Sequence, residues 1–420
     1  MSTLSIASRL DRARLAKIAD GLAVAVAVSL PWSTSATGIL LVLLLLALIP
    51  TLNWVEVRRE LATPAGGLPV LLVALGVLGM TWADVSLAER WGGVGSFFKL
   101  LVIPLLLVQF HRSERGWWVF AAYVISCTVL LVASTVVQFV PGFSFIPMKL
   151  DFVLVKNAAT QSGEFVTCIF GLLFMMSECV ERRRWWWLAG LVAVMLGMLA
   201  NMFYVATGRT ALVVIPVLLV LFAAKKLSGK GMAVLFACVI VVGVAGWLSS
   251  PYLRDRTIQL WTDYQQYKEH HAVTSSGERV EFYKKSLAFI RQAPVIGHGT
   301  GSMGVLFGQA AIGKIGSAAS PSNNPHNQTF AVAIQLGLVG AFVLWAMWIA
   351  HLLLFRGSGL VEWIGLVIVV QNIVGSLFNS HLFDFGQGWV YVLGVGIAGG
   401  MALKKRAAER SAGAAPRLRL

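Results

Sequence analysis

Gly38-Ile-Leu-Leu-Val-Leu-Leu-Leu-Leu-Ala-Leu48, continued by Ile49-Pro-Thr-Leu-Asn-Trp54, decides the class of fold. No charged side chain interrupts it, and it is too long for a buried strand. With 57% hydrophobic and 13% charged residues and a mean hydropathy of +0.77, the rest of the chain repeats the pattern. The solvent for most of these 420 residues must therefore be lipid. Backbone amides in a bilayer core find no water, so they must pair within their own segment. That leaves helices or closed barrels, and unbroken apolar runs favour helices.

A span needs roughly 20 apolar residues. That requirement places helices near 18–32, 36–54, 67–83, 96–110, 117–140, 164–180, 185–204, 210–224, 231–250, 327–354, 359–377 and 387–403. The expected class is all-α, a polytopic integral membrane protein with about twelve transmembrane helices. Arg9, Arg12, Arg14 and Lys17 precede the first run. They resemble the basic region of a signal peptide, but a second span follows at once, so a retained first helix with a cytoplasmic flank is expected.

The formal charge of +15 would suggest nucleic acid in a soluble protein, but here the cations flank spans. With the N-terminus inside, the cytoplasmic connections carry Arg58 and Arg59, Arg112 and Arg115, Arg182 to Arg184, Lys225 with Lys226 and Lys230, and Arg356. The tail begins Lys404-Lys-Arg406. Every one of these is basic, as the positive-inside rule demands. The expected division is 1–250 with spans one to nine, a partly helical periplasmic loop over 251–326, spans ten to twelve over 327–403, and a basic cytoplasmic tail over 404–420.

Arg90, Lys149, Lys156 and Arg209 fall on short outer loops, with Lys99 just inside the fourth span. Cations kept there against the topological bias suit an anionic ligand; snorkelling or a lipid-headgroup contact is the competing reading. The 251–326 loop is too long for a plain connector. Its apolar residues between Glu278 and Arg291 recur at three- and four-residue spacing, which predicts a surface helix ended by Pro294.

In Ser320-Pro-Ser-Asn-Asn-Pro-His326-Asn-Gln-Thr-Phe330 a histidine stands where the tenth span begins. Imidazole exchanges a proton near neutral pH, and a membrane-edge position would let it meet a lipid-linked substrate; helix capping is the alternative. Arg209 at the mouth of the eighth span and Arg279 in Ser276-Gly-Glu-Arg279 share that side. Guanidinium groups bind phosphate bidentately, so two beside a histidine suit a pyrophosphate, whereas each alone also fits an interfacial anchor.

Gly297-His-Gly-Thr-Gly301 lacks a preceding strand, which favours close backbone packing over a nucleotide loop, with His298 a local hydrogen-bonding residue. His270 and His271 have no acid or cysteine at ligand spacing, although Asp84, Asp151 and Asp384 on outer loops keep a metal open. Cys127, Cys168, Cys179 and Cys238 lie in apolar runs and point to no disulfide framework.

At Gly208-Arg209-Thr210, at Ser276-Gly-Glu-Arg279 leading to Pro294-Val-Ile-Gly297-His-Gly-Thr-Gly301, and at Pro325-His326-Asn327 the sequence resembles the O-antigen ligase and polymerase superfamily. The resemblance implies a glycosyltransferase with the fold of the membrane-embedded C-type enzymes. It implies transfer of a glycan from an undecaprenyl-pyrophosphate-linked donor to a lipid A-core acceptor, without metal or other cofactor, on the periplasmic face of the bacterial inner membrane. His326 would act as base and Arg209 and Arg279 would hold the pyrophosphate, with Arg90 and Lys99 as weaker substrate-binding candidates. Membrane lipids are the only further partner implied, and nucleic acid is not. A repeat-unit polymerase is the nearest alternative. A secondary transporter is the more distant one, disfavoured because the spans hold almost no mid-membrane charge.

Overall fold

The computed structural model describes residues 11–139, 156–270 and 272–414. Lys149, Asp151 and His271 lie outside the described residues, as does Arg9. In chain order the helices are α1 (Arg12–Ser29), α2 (Thr34–Leu48), α3 (Trp54–Leu61), α4 (Pro64–Gly79), α5 (Leu87–Phe98), α6 (Val102–Arg112), α7 (Gly116–Phe139), α8 (Ala158–Glu181) and α9 (Trp185–Tyr204). They continue with α10 (Arg209–Lys226), α11 (Gly229–Ser249), α12 (Pro251–His270), α13 (Ser275–Gln292), α14 (Met303–Ala311), α15 (Gln328–Leu354), α16 (Leu360–Gly375) and α17 (Phe385–Ala414). No strand occurs among the described residues. The protein is an all-α polytopic membrane protein.

Each of the twelve apolar stretches falls on helix. Among the described residues eight helical segments are long and apolar enough to cross a bilayer, and the α3–α4 pair, bent by 83°, makes a ninth. The bend follows from local chemistry. Thr63 caps α4 by accepting from the Gly66 amide, and Pro64 at the first helical position lacks the N–H that would continue α3. The fourth expected span is two helices, α5 and α6, joined by a 3₁₀ turn at Lys99–Leu101.

The most extensive helix pair is α6 against α17. Small residues permit it. A Cβ on Gly396 would stand 2.6 Å from Leu106, and one on Gly400 would stand 2.7 Å from the Leu107 carbonyl oxygen. In lipid no hydrophobic force drives helices together, so close approach and van der Waals contact must do so. At this pair's tail end Lys404 pairs with Glu114, Lys405 with Glu362 at 2.9 Å, and Arg112 with Glu56. The basic connections thus gather at one end of the bundle.

At the other end lies the 251–326 segment, more helical than its sequence suggested. The predicted 278–291 helix is present as α13, and it is preceded by the 20-residue α12. The glycine-rich turn after α13 enters a break in α15. Gly337 has φ 64° and ψ −164°, which interrupts the helical ladder. The freed carbonyls of Ile334 and Gln335 accept from the amides of His298 and Gly299, and the amides of Leu338 and Val339 donate to Pro294 and Val295. Non-helical backbone at membrane depth is tolerated only where protein satisfies it in this way. The Gly297–Gly301 motif is therefore a packing device: a Cβ on Gly297 would lie 2.5 Å from the Gln335 carbonyl carbon. His298 Nε2 lies 2.9 Å from the Phe289 carbonyl, a local bond of the kind expected.

Candidate functional site

Asn327 starts α15 by accepting from the Phe330 amide. The residue before it, His326, has φ 53°, a left-handed conformation costly for a residue with a Cβ. It is held there because Asn324 Oδ1 accepts from the His326 amide at 2.9 Å. Backbone strain at a half-buried histidine, sustained by dedicated bonds, is the first sign that the ring's direction matters.

The second comes from the turn between α16 and α17, residues 376–384. Gln328 donates its amide to the Ser376 carbonyl, and its side-chain oxygen accepts from the amides of Leu382 and Phe383. Asn327 Nδ2 and the Tyr283 hydroxyl both reach the Leu377 carbonyl. The turn is thereby stitched to the mouth of α15, and His326 Nδ1 comes to 2.9 Å from Asn379 Oδ1. Asn379 Nδ2 in turn donates to Asp384 Oδ2 at 2.7 Å. An ionised carboxylate only accepts, so Asp384 fixes the amide's orientation. The amide oxygen then faces His326 and requires the proton on Nδ1. Nε2 is left with its lone pair.

Burial, with the Arg279 charge adding to it, holds the His326 pKa below the ordinary histidine value, against the bond to Asn379 and the nearby Glu278. The imidazole is therefore neutral near pH 7. Phe282 stacks on it, with ring centroids 6.0 Å apart and planes 19° apart. Burial raises the Asp384 carboxyl to about 6 although Lys99 opposes the shift, so the relay is intact above that pH.

Arg279, one turn into α13, is half-buried, and no carboxylate pairs with it among the described residues. Burial lowers its pKa, and Arg209 lies close enough to add to that shift. Arg209 opens α10 and faces Asp263 of α12 at 3.7 Å. Two guanidiniums sharing a half-dry region with one carboxylate between them form a site that is short of negative charge.

Arg90 and Lys99 are placed differently. The Arg90 guanidinium donates to the carbonyls of Met80 and Val85. Lys99 Nζ donates to the carbonyls of Phe383 and Asp384 at 3.0 and 2.9 Å. Both cations are engaged by backbone oxygen, and Lys99 braces the very turn that carries Asp384. Asn379 escaped the sequence reading, and Asp384 entered it only as a candidate metal ligand. The signal available was Asn379-Ser-His-Leu-Phe-Asp384, a polar run between two apolar spans on the expected outer side.

The linear order of Arg209, Arg279, the threaded glycine turn and His326 can now be compared with known families. Residues 193–345 match the O-antigen ligase family. The superfamily resemblance read from the sequence is thereby met. The matched span holds all three leading site residues and ends before Asn379 and Asp384. An uncharacterized protein of Haemophilus influenzae is 23% identical over 249 residues, covering 58% of this chain. The chain spans 61% of that relative's length.

Proposed function

We propose that this protein is an O-antigen ligase that transfers a glycan from undecaprenyl pyrophosphate to the lipid A-core acceptor on the periplasmic face of the bacterial inner membrane. The observation that carries the reading is His326 with Nδ1 held by Asn379 and Nε2 without a partner among the described residues, beside two arginines that have one carboxylate between them there. The acceptor hydroxyl attacks the anomeric carbon of the first donor sugar, and its proton passes to His326 Nε2. The bond from that carbon to the pyrophosphate oxygen breaks, and its electron pair leaves with the pyrophosphate. Arg279 and Arg209 neutralise the departing charge, an electrostatic contribution worth most where water is excluded. Asn379 Oδ1 accepts from Nδ1 throughout and supports the imidazolium as it forms. A single displacement inverts the anomeric carbon. Arg90 and Lys99 act through the backbone they hold, not on the donor.

Purified protein with lipid-linked glycan and lipid A-core, without nucleotide or added metal, is expected to form the ligated product. His326→Ala should abolish transfer while the protein still inserts and purifies as a monodisperse species; near-normal transfer by that variant would remove His326 from the chemistry. A deletion strain separates ligase from polymerase. Polymer accumulating on the lipid carrier fits ligation, whereas a single repeat on the core would turn the assignment to a polymerase.

A further inference from the structure

A cavity of about 630 Å³ opens beside the relay, between the α1–α2 turn, the start of α8 and the start of α17. Its walls include Trp32, Lys156, Thr160, His381, Asp384 and Gln387. The volume is within the range of about 300–1,000 Å³ usual for small-molecule pockets. Asn379 and Asp384 line it as well as forming the relay, so an occupant would lie against the groups that orient His326.

The charge of the walls selects among occupants. Lys156 is the one cation among the described lining residues, and it is already engaged by the Leu30 carbonyl and by Glu164 at 3.5 Å. Asp384 is the one anion among them, and it would repel a phosphate. The remaining polar capacity is uncharged. The Thr160 hydroxyl has no hydrogen-bond partner among the described residues, Gln387 Nε2 makes one long contact, 3.5 Å to the Thr160 carbonyl, and the unpaired His381 Nδ1 is packed against Gly375. His381 is 7% exposed, and burial, reinforced by Arg279, lowers its pKa to about 4, so its ring lines the wall without adding charge. Trp32 forms a fixed apolar wall because its indole N–H donates to Ser126 Oγ at 2.9 Å. A flat aromatic face together with an amide, a hydroxyl and an uncharged imidazole wall matches a pyranose ring, with its apolar C–H face and polar hydroxyl rim.

We propose that this cavity is a neutral-sugar subsite, seating a pyranose of one of the two glycan substrates against the relay; the proposal rests on the glycan-transfer reading above. The sugar could come from the donor repeat or from the acceptor terminus, and kinetics distinguishes the two. Ala159 also lines the cavity and is exposed, so Ala159→Trp would fill it, while Thr160→Val removes one hydroxyl at constant shape. With lipid-linked glycan and lipid A-core varied in turn, Ala159→Trp is expected to raise the KM of one substrate about tenfold or more and Thr160→Val to raise the same KM several-fold. In both, kcat at saturation and the other KM should stay within about twofold. The substrate whose KM rises is the source of the sugar. If Ala159→Trp does not purify intact, Thr160→Val decides alone. Both KM values unchanged, or a fall in kcat alone, would overturn the subsite. A wild-type protein that transfers nothing would instead overturn the functional reading.

Discussion

Replacing Asn379 by Ala removes the acceptor that faces His326 Nδ1 at 2.9 Å and the donor that faces Asp384 at 2.7 Å. The side chain is half-buried, so neither partner is fully repaid by water. As His326 takes the acceptor's proton it becomes an imidazolium, and the Nδ1 bond becomes a bond from a charged donor, worth about 1.5–3 kcal/mol. The neutral bond already contributes about 0.5–1.5 kcal/mol before the reaction. Only the increment of about 1–1.5 kcal/mol therefore acts on kcat. At about 1.4 kcal/mol per tenfold in rate, Asn379→Ala should lower kcat by about 5- to 12-fold with little change in either KM. The pH profile adds a test of sign. The Asn379 bond raises the His326 pKa against burial and Arg279, so its loss lets that pKa fall further. The base must be neutral, hence the acid limb of kcat/KM should move to lower pH even as the plateau drops. Single-turnover transfer measured between pH 5 and 8 reads both effects. A kcat within twofold of wild type, or a loss of rate with the acid limb unmoved, would refute the relay and leave Asn379 a structural residue.

Arg279→Lys keeps the charge but loses the planar fork, so kcat/KM for the lipid-linked glycan should fall about tenfold, and Arg279→Ala should cost about 100-fold or more. Equal activity of Arg279→Lys and wild type would show that a point charge suffices. Gly337→Ala places a Cβ 2.1 Å from the Val295 carbonyl oxygen at a φ of 64°. The backbone conformation alone costs about 1–3 kcal/mol, so thermal unfolding in detergent, followed by tryptophan fluorescence, should begin at lower temperature. Gly190→Ala, where nothing lies within 4 Å of the added Cβ, should leave it unchanged.

The apolar helices were legible because hydropathy reports the solvent each segment must meet, and eight or nine of the expected twelve are long and apolar enough to cross a bilayer among the described residues. Arg209, Arg279 and His326 could be grouped because helix parity alone puts them on one side. Position and charge made Arg90 and Lys99 candidates for an anionic ligand, and the carbonyl oxygens that each also reaches in a neighbouring turn are visible only in the fold. Asn379 shows the converse, since an asparagine in a short connection carries no signal until packing brings it to a histidine 53 residues earlier.

What the sequence determined by itself was the lipid environment and the helical class. These follow from one-dimensional properties, because burial in lipid and charge at an interface act on each segment separately. Only the tertiary structure decided the tautomer of His326, the break at Gly337 that admits the glycine turn, and which cations remain without a carboxylate. Each of those depends on directed bonds between distant segments, whose free energy exists only once packing has fixed distance and angle.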